Sequence, residues 1–204
     1  MTQQPPQANI PQTPPLPQPA PPVGDFSYKG ELKKAIEIIK LNEKVMGTVA
    51  KDAKAFNVAI GIIVLAGVAS FVGMYLQFGK FASMSGLFGV SLFSLIQSAI
   101  FGVLMYVGFI WVLAFIAQKQ GSKVTFQELL RVLGYGNLIG WAAIIPLLGI
   151  VGIWNVVIAY KSLVVVGGLK GEKAIFTLLG GVLAMIAVIT LVGLFGLNTP
   201  YGLY

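Results

Sequence analysis

The chain has 204 residues, 56% hydrophobic and 10% charged, with 14 Lys and Arg against 7 Asp and Glu and a net charge of +7. A mean hydropathy of +0.84 is too high for a soluble domain of this length and points to a membrane protein. With no Cys and no His, disulfides, thiol catalysis, haem ligation and the usual zinc sites are excluded, and no cofactor is implied.

Residues 1–24 hold nine of the eleven prolines, with Gln, Thr and Ala between them. Such a composition cannot bury a core and favours extended polyproline conformations, so 1–28 is expected to be a disordered cytoplasmic tail. Pro14 and Pro17 offer a PxxP spacing, but a solvated spacer is the simpler reading. No basic residue precedes an apolar run here, so a cleaved secretory signal is not expected.

Residues 29–55 read as one basic amphipathic helix. Leu32, Ile36, Ile39, Met46 and Val49 recur at helical spacing, and Lys33, Lys34, Lys40, Lys44, Lys51 and Lys54 occupy much of the remaining surface. The helix either lies on the anionic inner leaflet, at about 1 kcal/mol per well-placed lysine, or packs on the cytoplasmic ends of the spans. Both arrangements produce the same periodicity.

Five transmembrane helices are expected across 56–196, at about 56–78, 96–117, 128–145, 150–166 and 174–195, followed by a short external tail at 197–204. The 32 apolar residues 86–117 would make a helix of about 48 Å, too long for one upright crossing and short for two. One crossing preceded by an interfacial or re-entrant helix at 86–95 is the solution that keeps Lys119, Lys123 and Arg131 inside. Thr125 and Glu128 match a capping box that opens a helix at Phe126, with Arg131 one turn in and Glu128 a candidate partner for it. Pro146 and Gly149 mark a hairpin turn between the third and fourth spans.

Charge placement orients this bundle. Seven Lys precede the first span, Lys119, Lys123 and Arg131 follow the second, and Lys161, Lys170 and Lys173 flank the fourth and fifth, leaving only Lys80 on the opposite side. The positive-inside bias then puts the N-terminus in the cytoplasm and the C-terminus outside. The net charge is therefore topological. Its residues sit beside apolar runs and form no basic face with interleaved aromatics, so nucleic acid is not an expected partner.

No ionisable group falls in the middle of a span, and no nucleophile is matched with a base at one depth. The small residues Ser94, Ser98 and Gly102, the pair Gly136 and Gly140, and Gly180 with Ala184 form ridges suited to close helix packing, within the chain first and in a homo-oligomer as the alternative. Asn155 is expected to hydrogen-bond across helices, as are Gln97 and Asn137.

Four segments occur in order: Ile38-Ile39-Lys40-Leu41-Asn42-Glu43-Lys44-Val45, Thr125-Phe126-Gln127-Glu128-Leu129-Leu130-Arg131-Val132-Leu133-Gly134-Tyr135, Gly149-Ile150-Val151-Gly152-Ile153-Trp154 and Gly171-Glu172-Lys173-Ala174-Ile175. Together they resemble the prokaryotic branch of the Yip domain family, named after proteins that interact with Rab-type GTPases in eukaryotes. The resemblance covers about Leu32 to Phe195 and implies an all-helical, five-span fold with a cytoplasmic N-terminus. The acidic and aromatic motif ending in Gly-Pro that eukaryotic members carry is missing, with Asp25-Phe26-Ser27-Tyr28 in its place, so GTPase binding is not implied.

The expected function is that of a non-catalytic scaffold or adaptor in the cell membrane. Its six lysines at 33, 34, 40, 44, 51 and 54 would meet anionic lipid or a protein partner at the cytoplasmic face. The alternative is a small transporter or channel subunit formed by an oligomeric bundle, in which Asn155, Gln97 and Asn137 would share a cavity.

Overall fold

The computed structural model describes residues 27–84, 92–144 and 150–194. Among these the chain is all-helical: α1 (Tyr28–Ile39), α2 (Glu43–Lys51), α3 (Ala55–Met84), α4 (Leu92–Lys119), α5 (Phe126–Gly136), a 3-10 helix (Asn137–Ile144), α6 (Ile150–Val165) and α7 (Gly171–Leu194). The proline-rich tail through residue 26, the leader at 86–91, Ser94 and Ser98 as packing side chains, the turn at Pro146 and Gly149, and the external tail lie outside what is described. At 92–95 the expected leader is instead the first turn of α4, which runs on without a break.

The single helix expected over 29–55 is two helices and a sharp corner. Leu41 takes a left-handed conformation, φ 62°, and its amide bonds the Ile38 carbonyl at 2.9 Å while the Asn42 amide reaches the Glu37 carbonyl at 3.0 Å. That pair of bonds is a Schellman ending, formed here on a leucine where glycine is usual. Asn42 then caps α2, its side chain accepting from the Val45 amide. A second break follows at Asp52, whose carboxylate accepts from the Lys54 amide at 3.0 Å, and α3 leaves at 110° to α2.

Helix α5 occupies the centre. Its capping box forms as the sequence implies: the Glu128 amide donates to Thr125 Oγ1 at 3.3 Å and the Thr125 amide to Glu128 Oε2 at 2.7 Å. Leu129, Leu130 and every residue from Val132 to Gly136 are buried, enclosed by α1, α2, α3, α4 and α6. Glycine makes this enclosure tight. A Cβ at Gly134 would stand 2.6 Å from the Ala59 Cβ and 3.0 Å from its Cα, and one at Gly136 would stand 2.8 Å from Ile158 Cγ2. The same glycines weaken the α-helix, and the expected span at 128–145 is α-helical only to Gly136 before tightening into the 3-10 helix.

Among the described residues two helical stretches, Ala99–Lys119 and Gly171–Leu191, are long and apolar enough to cross a membrane, and a third is counted if the bent pair of α2 and α3 is one span. Their outer faces leave Ile100, Leu104, Trp111 and Phe115 of α4 and Phe176, Leu179, Leu183 and Ile189 of α7 exposed. An apolar surface of that kind belongs in lipid. The two helices meet where Gly180 and Gly181 face Ile116 and Leu113, which agrees with the small-residue reading of Gly180; Ala184, one turn on, is half-buried.

Gly136 and Gly140 also serve close packing; a Cβ at Gly140 would stand 3.5 Å from the Ala66 Cβ. Gly102 does not. It is exposed, with nothing within 4 Å of a Cβ built on it, because α4 and α7 touch two to three turns away at the glycine pair and have separated by this level. The contrast gives a direct test. Gly134→Leu should lower stability in detergent by about 2 to 3 kcal/mol, since the opposing atoms are the Ala59 Cβ and backbone, which have no rotamer through which to yield, while Gly102→Leu should stay within about 0.5 kcal/mol; thermal unfolding of the two variants checks it.

Candidate functional site

The amphipathic segment resolves in favour of packing. Ala35 and Ile38 of α1 and Met46, Val49 and Ala50 of α2 are at most 1% exposed and belong to the core. Their apolar faces therefore rest on the bundle, and a platform of fixed geometry results on the side where the basic residues gather.

Polar contacts lock the platform in place. Arg131 sends Nη1 to the Ala50 carbonyl at 2.7 Å and Nη2 to Gln127 Oε1 at 3.4 Å. Glu128, the candidate partner from spacing, is instead committed to Thr125 by the capping box. A cation at the last carbonyls of α2 satisfies an otherwise orphaned acceptor and complements the helix dipole. The Tyr135 hydroxyl donates to Glu31 across from α5 to α1. Lys161 of α6 pairs with Glu43 of α2 at 2.5 Å, and the Trp154 indole donates to the Ile39 carbonyl at 2.9 Å.

The six lysines separate into distinct settings. Lys34 is half-buried and bridges Glu31 at 2.8 Å and Asp52 at 3.4 Å, so within the chain it ties α1 to the corner at the end of α2 and is the least exposed of the six. Lys40 is exposed but paired with Glu37 at 3.2 Å. Lys33, Lys44, Lys51 and Lys54 are exposed, and Lys29, which the sequence reading did not select, joins them. Spacing offers Lys34 a local partner in Glu31, three residues earlier, but its second tie, to Asp52 eighteen residues away, is invisible to periodicity.

Burial acts to lower the Lys34 pKa, but the hydrogen bond and charge of Glu31, with Asp52, outweigh it and raise the value above 10.5. The Glu37 carboxyl is held below its ordinary 4.5 by the Asn42 side-chain hydrogen bond first and by Lys40 second.

Away from the platform two buried hydroxyls are committed locally. The buried Ser162 and Thr177 hydroxyls donate to carbonyls one turn back at 2.7 and 2.8 Å. No group of three potential metal ligands occurs among the described residues. An open apolar groove of about 510 Å³ lies between α4 and α7 where they separate, lined by Phe101, Gly102, Met105, Phe109, Met185 and Ile189 among others. Gln97, Asn137 and Asn155 do not line it. Gln97 is exposed, whereas Asn137 and Asn155 are half-buried, so the shared polar cavity expected of a transporter finds no support there.

Comparison with protein-family models, with curated protein sequences and with solved structures finds no match.

The pKa directions predict the acid response of the platform. Glu37, lowered from 4.5, contributes fully above that pH and loses its contribution as pH falls through the lowered value; Lys34, raised from 10.5, contributes fully below 10.5 and loses it only as pH rises further. Hydrogen-exchange protection at the Leu41 and Asn42 amides should therefore stay level from about pH 5 to 9 after correction for intrinsic rates and fall below about pH 4. Glu37→Gln should abolish that acid step.

Proposed function

We propose that this protein is a non-catalytic, multi-pass scaffold or adaptor of the Yip type, presenting a fixed basic platform at the cytoplasmic face of the cell membrane. The observation that carries the reading is the docking of α1 and α2 onto the buried α5, which holds Lys33, Lys44, Lys51 and Lys54 exposed on a surface that need not order itself on binding. The Yip resemblance is part of this proposal and rests on the sequence segments alone.

In the topology that goes with it, α3, α4 and α7 cross the bilayer and the hairpin of α5, the 3-10 helix and α6 supplies two further crossings. The 11 residues of α5 and 8 of the 3-10 helix rise about 32 Å together. The 16 residues of α6 rise about 24 Å, short of the hydrocarbon core, a mismatch that local thinning accommodates. Thirteen of the 14 basic residues then face the cytoplasm, with the N-terminus inside and the C-terminus outside.

The chain contains no cysteine, so single cysteines report topology directly. An impermeant maleimide on intact cells should label Leu147→Cys, and should label Lys51→Cys only after permeabilisation; the reverse pattern refutes the orientation. For the platform, a photo-cross-linker at Lys44 or Lys51 of the full chain should capture a lipid or protein in native membranes, and capture should fall when the remaining exposed lysines are changed to Gln. Capture insensitive to those charges refutes a basic docking surface.

A further inference from the structure

Helix α1 carries three bands at about 100° per residue, and only one of them is used by the bundle. Ala35 and Ile38 are wholly buried, yet Leu32 and Ile36, one turn apart on the adjacent band, are 51% and 41% exposed. Beyond them on the same side stand Lys29 and Lys33, both exposed and without an ion pair among the described residues. The carboxylates of α1 have partners of their own: Glu31 accepts from Lys34 and Tyr135 on the bundle side, and Glu37, one turn from Lys33 and within reach of its charge, accepts from Lys40 and Asn42.

A helix whose apolar stripe is edged by lysines, with its acids bonded to other partners, has the build of an interfacial helix. Its surroundings agree. The Trp154 indole ties the end of α1 to α6, where Ile153 and Trp154 continue the exposed apolar surface, and a tryptophan with its N–H bonded and its ring partly exposed suits the headgroup level. The 110° turn between α2 and α3 sends the chain across the end of α3 and not along it.

We infer that Leu32 and Ile36 of α1 seat in the headgroup boundary of the cytoplasmic leaflet, with Lys29 and Lys33 on anionic phospholipid. This rests on the membrane reading above and narrows its lipid contact to one face of one helix. A protein partner is disfavoured by the two adjacent unpaired lysines, which match an anionic surface by charge.

The test uses the full chain, reconstituted into phosphatidylcholine vesicles with and without phosphatidylglycerol, carrying an environment-sensitive nitrobenzoxadiazole label at Leu32→Cys, Ile36→Cys, Lys44→Cys or Leu104→Cys. Labels at 32 and 36 should show blue-shifted emission, quenching by doxyl lipid and loss of iodide quenching in the anionic vesicles. The label at 44 should remain open to iodide, and that at 104 should be quenched by doxyl lipid in both vesicles. Lys29→Gln with Lys33→Gln should return the label at 36 to iodide. Iodide access at 32 and 36 with doxyl quenching at 104 overturns the inference and leaves the membrane reading standing; iodide access at 104 overturns both. Protection from iodide without doxyl quenching means a protein surface covers the stripe, and this too overturns the inference. Unchanged protection in the double lysine variant removes the role given to Lys29 and Lys33.

Discussion

With no side chain at Gly134, the backbone of α5 comes against α3 so closely that a Cβ there would stand 3.0 Å from the Ala59 Cα. That approach draws α5 into the middle of the molecule, and the other elements are placed by covering it. Gly136 admits Ile158 of α6 on another side, the Leu133 carbonyl takes the Tyr106 hydroxyl of α4 at 3.1 Å, and α1 and α2 close over what remains. Small residues at a helix contact exchange side-chain burial for backbone proximity, which raises dispersion contact over the whole length of the crossing.

The electrostatic ties act on top of this packing and do different work. Each pair on the platform keeps at least one partly exposed partner, so solvent screening leaves each of them a small contribution to stability. Their value is in direction. Arg131 reaches the last turn of α2, Tyr135 reaches Glu31, and Trp154 reaches the end of α1. Two contacts from α5 and one from α6 thus set where the N-terminal helices lie, after hydrophobic burial has decided that they lie somewhere on the bundle. The exposed lysines inherit their positions from that arrangement.

Local rules were legible wherever the partners were near in sequence. The capping box at Thr125 and Glu128 forms because its two bonds span three residues. Asn42 and Asp52 carried the same kind of signal, a capping side chain ahead of a helix, inside a stretch whose continuous hydrophobic period hid both breaks. Leu41 offered no cue, since a leucine rarely ends a helix in the left-handed region. The small-residue ridges were half legible: Gly136, Gly140 and Gly180 meet neighbours, Gly102 faces open space, and Gly134, which comes up against the backbone of α3, belonged to no four-residue spacing. Spacing reports which residues share a face of one helix; it carries no information on how far away the next helix is.

By itself the sequence determined that the chain is helical, apolar and lopsided in charge, because composition, period and lysine placement are properties each residue carries wherever it folds. Tertiary structure alone decided which apolar face of the N-terminal segment is consumed by the bundle, that Lys34 is an internal tie while Lys33 remains exposed, and that α5 is the centre. Those outcomes depend on residues such as Asp52 and Ala59, brought into contact from distant positions along the chain. Distances of that kind exist only once the chain has packed.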